Sequence, residues 1–353
     1  MRKNIYASLL ALIAALVIIA SFAGQTKRTT AAAAANTTAP NGSALLAQLP
    51  ASDVVIFIDN QRLLTEIVPR VLASDPAKLA KFNAMMDEFK AHTGIDARSF
   101  EQIAIGMQLT SEGAGRTHTE AAVIAQGSFN SGALLAAGRI ASKGKYREQA
   151  YGGKTIYVFT MPEQGKASPA TTGTAAKQST PVKPDEMAVA ALNANTFALG
   201  SPASVRATID ASAGRQHVSP ELVTLATHDA SAVISFGGNL PPSVTQNLDF
   251  GNEEVAKSIA SIRQFYGSVG ALPNGYNMLT VLRTETPKDA QNLNDTLGAL
   301  KQFAPVLVAQ LPADKGNLTQ NLVDSLKTTT QGNEVQISLM LAQADVATLI
   351  HAF

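Results

Sequence analysis

Strand-like runs in this chain come in close pairs. Phe100 to Leu109 is followed by Glu120 to Gly127, and Tyr146 to Tyr151 by Thr155 to Phe159. Glu186 to Leu192 is followed by Thr196 to Leu199, and Ser261 to Leu272 by Tyr276 to Thr284. A last hairpin turns at Gly332-Asn333 into Glu334 to Leu341. A parallel crossover takes a dozen or more residues, so connections this short predict largely antiparallel sheets. The turns have the right chemistry: Gly152-Gly153 and Pro273-Asn274-Gly275 are hairpin signals.

Helical patterns fill the gaps. Leu63, Leu64, Ile67, Val68, Val71 and Leu72 form a stripe. Asp75-Pro76, Ser201-Pro202, Ser219-Pro220 and Thr286-Pro287 each place a capping side chain before a proline at the first helical position. Asn130 caps a further helix that runs to Ile140. Ala290, Leu293, Leu297, Leu300 and Ala304 recur at spacings of three and four on one helix face. Asp53-Val-Val-Ile-Phe-Ile58 and Ala230 to Phe236 read as strands opening two halves. Each half then reads strand, helix, two strands, helix, hairpin, helix. The expected fold class is therefore α+β: two similar tandem units, each a largely antiparallel sheet with helices packed on one face.

The units are bounded as 44–228 and 229–353, the first with a disordered loop at 163–184. That loop, Glu163 to Pro184, has no apolar period and cannot bury enough surface to offset its ordering entropy. Residues 1–28 read as a signal anchor or signal peptide, and 29–43 as a flexible tether. Arg2 and Lys3 precede an apolar run from Ala7 to Ala23, and Lys27 and Arg28 follow it. The run length favours an uncleaved, single-pass helix with the body outside the cytoplasm of a bacterial cell. The alternative is cleavage near Ala23 at Ser21-Phe22-Ala23, leaving a secreted or periplasmic protein. Through the N-terminal helix, the membrane is the first partner expected.

Composition excludes several functions. There is no cysteine, so disulfides, thiolate metal sites and cysteine nucleophiles are out. Net charge is +1, which offers no basic excess for nucleic acid. Tryptophan is absent and aromatics are only 5%, which disfavours stacked-ring platforms. Apolar residues at 46% against 16% charged predict a packed body.

No catalytic, cofactor-binding or metal-ligating residue is assigned. The five histidines, His92, His118, His217, His228 and His351, lack metalloprotease spacing. His118 and Glu120 stand at i, i+2 and share a strand face, but two ligands do not make a metal site. Ser142-Lys143-Gly144-Lys145 has the serine-x-x-lysine spacing without its companion motifs and reads as a turn. Gly152-Gly153-Lys154-Thr155 lacks the first glycine of a phosphate loop. The acidic neighbours Asp87-Glu88 and Glu253-Glu254 point apart on a helix and form no dyad.

Leu49-Pro-Ala-Ser-Asp53 with Val54 to Ile58 and Leu63-Leu64 resembles the opening of an uncharacterised family of bacterial exported or membrane-anchored proteins. Thr93 to Phe100, Gly127-Ser-Phe-Asn130, Lys145-Tyr-Arg147 and Tyr151-Gly-Gly-Lys154 extend that similarity across the first half of the body. The resemblance implies an envelope location and no activity. The functional expectation is a non-enzymatic envelope protein whose body binds another envelope component, with a protein partner and no nucleic acid. A hydrolase assembled from distant residues and a small-molecule or lipid carrier are the alternatives.

Two faces are expected on the strands. Ile103, Ile105, Met107 and Leu109 alternate with Ala104, Gly106 and Gln108; Val335, Ile337, Leu339 and Leu341 alternate with Gln336, Ser338 and Met340. The bulky face is expected against helices and the small or polar face open.

Overall fold

The computed structural model describes residues 42–93, 96–111, 117–142, 144–160, 186–242, 253–308, 325–343 and 346. Its strands are β1 (Val54–Asp59), β2 (Phe100–Ser111), β3 (Thr117–Gly127), β4 (Tyr146–Tyr151), β5 (Lys154–Thr160), β6 (Glu186–Asn193) and β7 (Thr196–Gly200). They continue with β8 (Ile234–Asn239), β9 (Ile262–Leu272), β10 (Gly275–Thr284), β11 (Lys327–Gln331) and β12 (Glu334–Ala342).

All of these strands belong to one sheet, in the order β11-β12-β10-β9-β8-β1-β2-β3-β7-β6-β5-β4, and every pairing in it is antiparallel. The expectation of two tandem sheets is corrected here. Strands from before and after residue 229 meet where β1 pairs with β8, Ile56 opposite Phe236 and Val54 opposite Gly238. The reason is edge satisfaction: two separate sheets would each leave a buried strand edge with unpaired backbone groups, and joining them removes both.

Helices cover both faces, not one. On the front face lie Ser43–Leu46, Pro202–Ser212 and Pro220–Ala226. Their Leu45, Leu46, Val205, Ile209, Leu222 and Leu225 close over Val55, Phe57, Ala104, Ile124, Ala190 and Ala198. On the back face Leu134 and Leu135 of Ser131–Ala141 pack on Ala125, Val189 and Phe197. Further along the back, Ala290 and Leu293 of Pro287–Val308 pack on Leu282, Val335 and Ile337. The segment Asn60 to Val71, with one π turn at Leu63–Ile67, places Ile67 and Val71 on Met278, Leu339 and Leu341. Arg70 anchors it: the guanidinium donates to the carbonyls of Leu272 (2.5 Å) and Pro273 (2.8 Å) and lies 5.2 Å from the centre of the Tyr276 ring.

The capping side chains act as expected. The Asp75, Asn130, Ser201, Ser219 and Thr286 side chains accept the amides of Lys78, Ala133, Ser204, Leu222 and Asp289. The Gly152-Gly153 turn has φ of 56° and 73°, a geometry that L side chains resist. The two-face expectation holds on β12, where Val335, Ile337 and Leu339 are buried and Met340 is 43% exposed. It reverses on β2. Ala104 and Gly106 are buried on the front, whereas Ile103, Ile105, Met107 and Leu109 are only half-buried on the back.

Among the described residues no helix is long and apolar enough to cross a membrane. The longer ones are interrupted by charge: Pro76–Thr93 carries Lys78, Lys81, Asp87, Glu88 and Lys90, and Pro287–Val308 carries Lys288, Asp289, Asp295 and Lys301. The expected single-pass anchor, membrane partner and membrane location are therefore not supported, since no described helix could make the span. The leader at 1–28, the tether up to residue 41, the loop at 163–184 and the helix expected before Leu326 lie outside the described residues.

Two tests follow from the packing. Leu293 is 2% exposed, whereas Leu297 is only partly buried against the same cluster. Leu293→Ala is expected to cost about 2–5 kcal/mol in denaturant unfolding, and Leu297→Ala less; equal costs would contradict this packing. The second concerns acid. Burial pushes the Asp229 carboxyl up, but the Ser231 hydroxyl (2.7 Å) and amide (2.9 Å), then the Ser268 hydroxyl (2.9 Å), with His228 nearby, hold it below the usual carboxylate range. A depressed folded pKa stabilises above the unfolded value and is lost as pH falls through the folded one. Asp229→Asn is therefore expected to flatten the loss of stability below about pH 4; an unchanged acid limb would exclude this role.

Candidate functional site: a small-walled cleft on the front face

A cleft of about 230 Å³ opens on the front face between the chain leading into β1 and the Pro202–Ser212 helix. Its walls are Pro50, Ala51 and Ser52 on one side and Ala203, Ser204 and Ala207 on the other. Gly106 and Ala122, cross-strand partners on β2 and β3, line it together with a second cross-strand pair, Gln108 and Glu120. Gln216 completes the lining.

The cleft exists because its strand residues are small. A Cβ on Gly106 would lie 2.4 Å from the Ser52 hydroxyl, and one on Gly200 2.7 Å from the Ala121 carbonyl. Main-chain and hydroxyl hydrogen bonds set the walls. Ser52 Oγ donates to the Pro50 carbonyl (2.8 Å), the Ala51 amide to the Gln216 carbonyl (3.0 Å), and the Val218 amide to the Leu49 carbonyl (2.9 Å). Gln216 has φ of 45°, the only positive value at a non-glycine among the described residues.

Polar chemistry concentrates at one end. The Ser201 hydroxyl lies 2.9 Å from that of Ser204, accepts the Ser204 amide at 3.0 Å, and reaches Glu120 Oε1 at 3.4 Å. Ser204 is buried, Glu120 half-buried. No ion pair to Glu120 occurs among the described residues. Among the described residues Arg206 is engaged with Gln149 (3.0 Å) and Arg215 with Asp210.

Against this geometry the sequence motifs fall as follows. His118 and Glu120 stand on β3 opposite Thr110 and Gln108 in register. Among the described residues no group of three or more metal-ligating side chains occurs. Ser142 ends a helix, its hydroxyl donating to the Arg139 carbonyl at 2.8 Å. Gly152-Gly153 is a hairpin turn, and Lys154 Nζ donates to the Leu192 carbonyl at 2.9 Å. The His228 ring packs edge-on against Tyr266, and His217 Nδ1 bonds the Val218 carbonyl at 2.9 Å. Asp87 pairs with Arg98 at 2.9 Å. Sequence reasoning assigned none of the cleft residues to a site, although it set Gly106 and Gln108 on the small or polar face of their strand and Glu120 beside His118. The signal for them was the small side of β2, Ala104 and Gly106, beside the Ser201-Pro202 cap.

No protein family and no curated protein matches this chain. Solved structures of TP0453 are similar in outline. Crystal form III gives a TM-score of 0.46 at 10% identity, over 90% of this chain and all of that one. Form I gives 0.42 at 9% identity, over 87% and 96%. Form IV gives 0.42 at 10% identity, over 86% and 95%. A likeness of this size assigns neither activity nor ligand.

The Gly106 contact can be measured. Gly106→Ala is expected to lower stability by about 1–3 kcal/mol through the Ser52 collision. Ser52→Gly in the same chain should recover part of that loss. A double-mutant cycle with no coupling would separate the two positions.

Proposed function

We propose that this protein is a non-enzymatic binding protein that takes part of another cellular component into the front-face cleft. The observation that carries the reading is the state of Glu120. Its carboxylate lines the cleft with a serine hydroxyl beside it, and among the described residues the lining holds no imidazole, lysine or second carboxylate. A serine needs an adjacent base to act as a nucleophile, and a base needs a group that orients it. Ser201 accepts the Ser204 amide at the helix start, and its hydroxyl contact with Glu120 is long, 3.4 Å. Cleft size supports the same reading. Sites that engulf a whole small molecule run from about 300 to 1,000 Å³. At about 230 Å³ this cleft suits one protruding group of a larger partner.

The test uses the immobilised full chain against a cell extract, beside an Ala203→Trp variant. Ala203 is exposed on the rim, so an indole there fills the cleft without disturbing the core. A partner held by the natural chain and lost by the variant supports the reading. Equal retention by both places recognition elsewhere. Turnover of an ester, phosphate, peptide or glycoside that Ser204→Ala or Glu120→Gln abolishes would replace it with the hydrolase reading.

A further inference from the structure

We propose that the group recognised in this cleft is a primary ammonium, with Glu120 as its counter-ion. The inference rests on the binding reading above and adds the chemistry of what is bound. Glu120 is a half-buried carboxylate whose hydrogen bond among the described residues comes from a hydroxyl, at the long distance of 3.4 Å. A carboxylate offers about four lone-pair positions, so most of its accepting capacity stays open. Half-burial raises the cost of leaving it unpaired and strengthens any cation that reaches it.

Structural duty does not account for this carboxylate. Ser201 already accepts the Ser204 amide and contacts the Ser204 hydroxyl, so the helix start is capped without Glu120. The cross-strand neighbour of Glu120 is Gln108, a neutral amide that can accept a further hydrogen bond. Gln216 brings another amide to the lining. One carboxylate and two carboxamide residues thus line a cleft whose other walls include alanine, proline and glycine.

Shape selects among cations. A guanidinium is planar, and its strong mode is a two-point contact with both carboxylate oxygens. Ser201 already occupies Oε1 here. An ammonium is compact, rides on a thin alkyl stem and has three donors that splay in different directions. A carboxylate oxygen and two carboxamides able to turn their oxygens to the ligand can meet that set, and Pro50, Ala51, Ala203 and Ala207 suit the stem. A divalent metal ion would need more ligands than this lining supplies.

Such a group can come from a free alkylamine or from a lysine side chain of a polypeptide. The experiment titrates the full chain, labelled with nitrogen-15, with n-butylammonium, Nα-acetyl-lysine methylamide, a lysine-containing pentapeptide, n-butylguanidinium and tetramethylammonium. The expected result is saturable shifts of the Gly106, Ala122 and Ala203 amides with the three primary amines. Affinities should lie in the millimolar range, as suits a partly solvated pair. Guanidinium and tetramethylammonium should bind at least tenfold more weakly. Glu120→Gln should weaken the amines by at least tenfold, in line with loss of a charge-assisted hydrogen bond. Should Glu120→Gln fail to fold, Ala203→Trp gives the same loss by blocking the rim. A pentapeptide much tighter than n-butylammonium identifies a polypeptide source; equal affinity identifies the free amine.

Absence of saturable shifts at tens of millimolar, or amine binding unchanged by Glu120→Gln, overturns the proposal. If amines fail while Ala203→Trp still releases a captured partner, only the ammonium assignment falls. If both variants retain the partner, the cleft reading falls with it.

Discussion

The fold hangs on the double pairing of β1. Residues Val54 to Ile58 are matched on one side by β2 and on the other by β8, nearly 180 residues later in the chain. Asp53, just before the strand, reinforces both seams. Its amide donates to the Met107 carbonyl (2.8 Å), its carboxylate accepts the Leu109 amide (2.7 Å), and its carbonyl accepts the Asn239 amide (2.7 Å). With both edges of β1 satisfied, Val55 and Phe57 are committed to the front core and Ile56 to the back. The chain leading into β1 must then cross the front of β2. That crossing positions Pro50 to Ser52 as one wall of the cleft.

Close approach on the front face depends on small side chains. Ala104, Ala188, Ala190 and Ala198 are fully buried there. They let the helices Ser43–Leu46, Pro202–Ser212 and Pro220–Ala226 come near the strands, so Leu49, Val205 and Leu222 fill the space from above. Bulky front residues would push those helices away and cost contacts throughout a densely packed layer. The same economy leaves a gap where two coverings fail to meet, over Gly106 and Ala122. Of the polar groups at that gap, Gln108 is exposed, Glu120 half-buried and Ser204 buried.

Local signals were read well from the sequence, and long-range ones were not. The Gly152-Gly153 hairpin, the Asn130 and Ser201 caps and the Thr286-Pro287 helix start are each decided within four residues, where turn and capping chemistry is strong. The choice between two sheets and one is decided by which edges meet, and alternation in a strand says nothing about its neighbour. Faces failed for a related reason. On β12 the bulky side met a helix, as patterning suggests, but on β2 the small side did, because a helix can approach alanine and glycine more closely than isoleucine. Glu120 illustrates the limit at the site. The sequence set it beside His118 on one strand face, whereas its nearest functional neighbours are Ser201 and Gln108, from other strands and loops.

Gln216 adds an energetic argument for the cleft as a built feature. A left-handed backbone at a residue with a Cβ costs on the order of 1 kcal/mol, which glycine would avoid. The next residue but one upstream, Gly214, shows that this turn already uses glycine where φ is +82°. At 216 the chain carries an amide side chain into the lining instead, held by the Ala51 amide on its carbonyl and by the Pro50 to His217 bridge. Those two contacts tie the strained turn to the wall opposite the Pro202–Ser212 helix. Backbone strain that the surrounding structure over-determines tends to gather where a side chain must be presented in a fixed direction. Here the strained residue is one of those that line the cleft with Glu120.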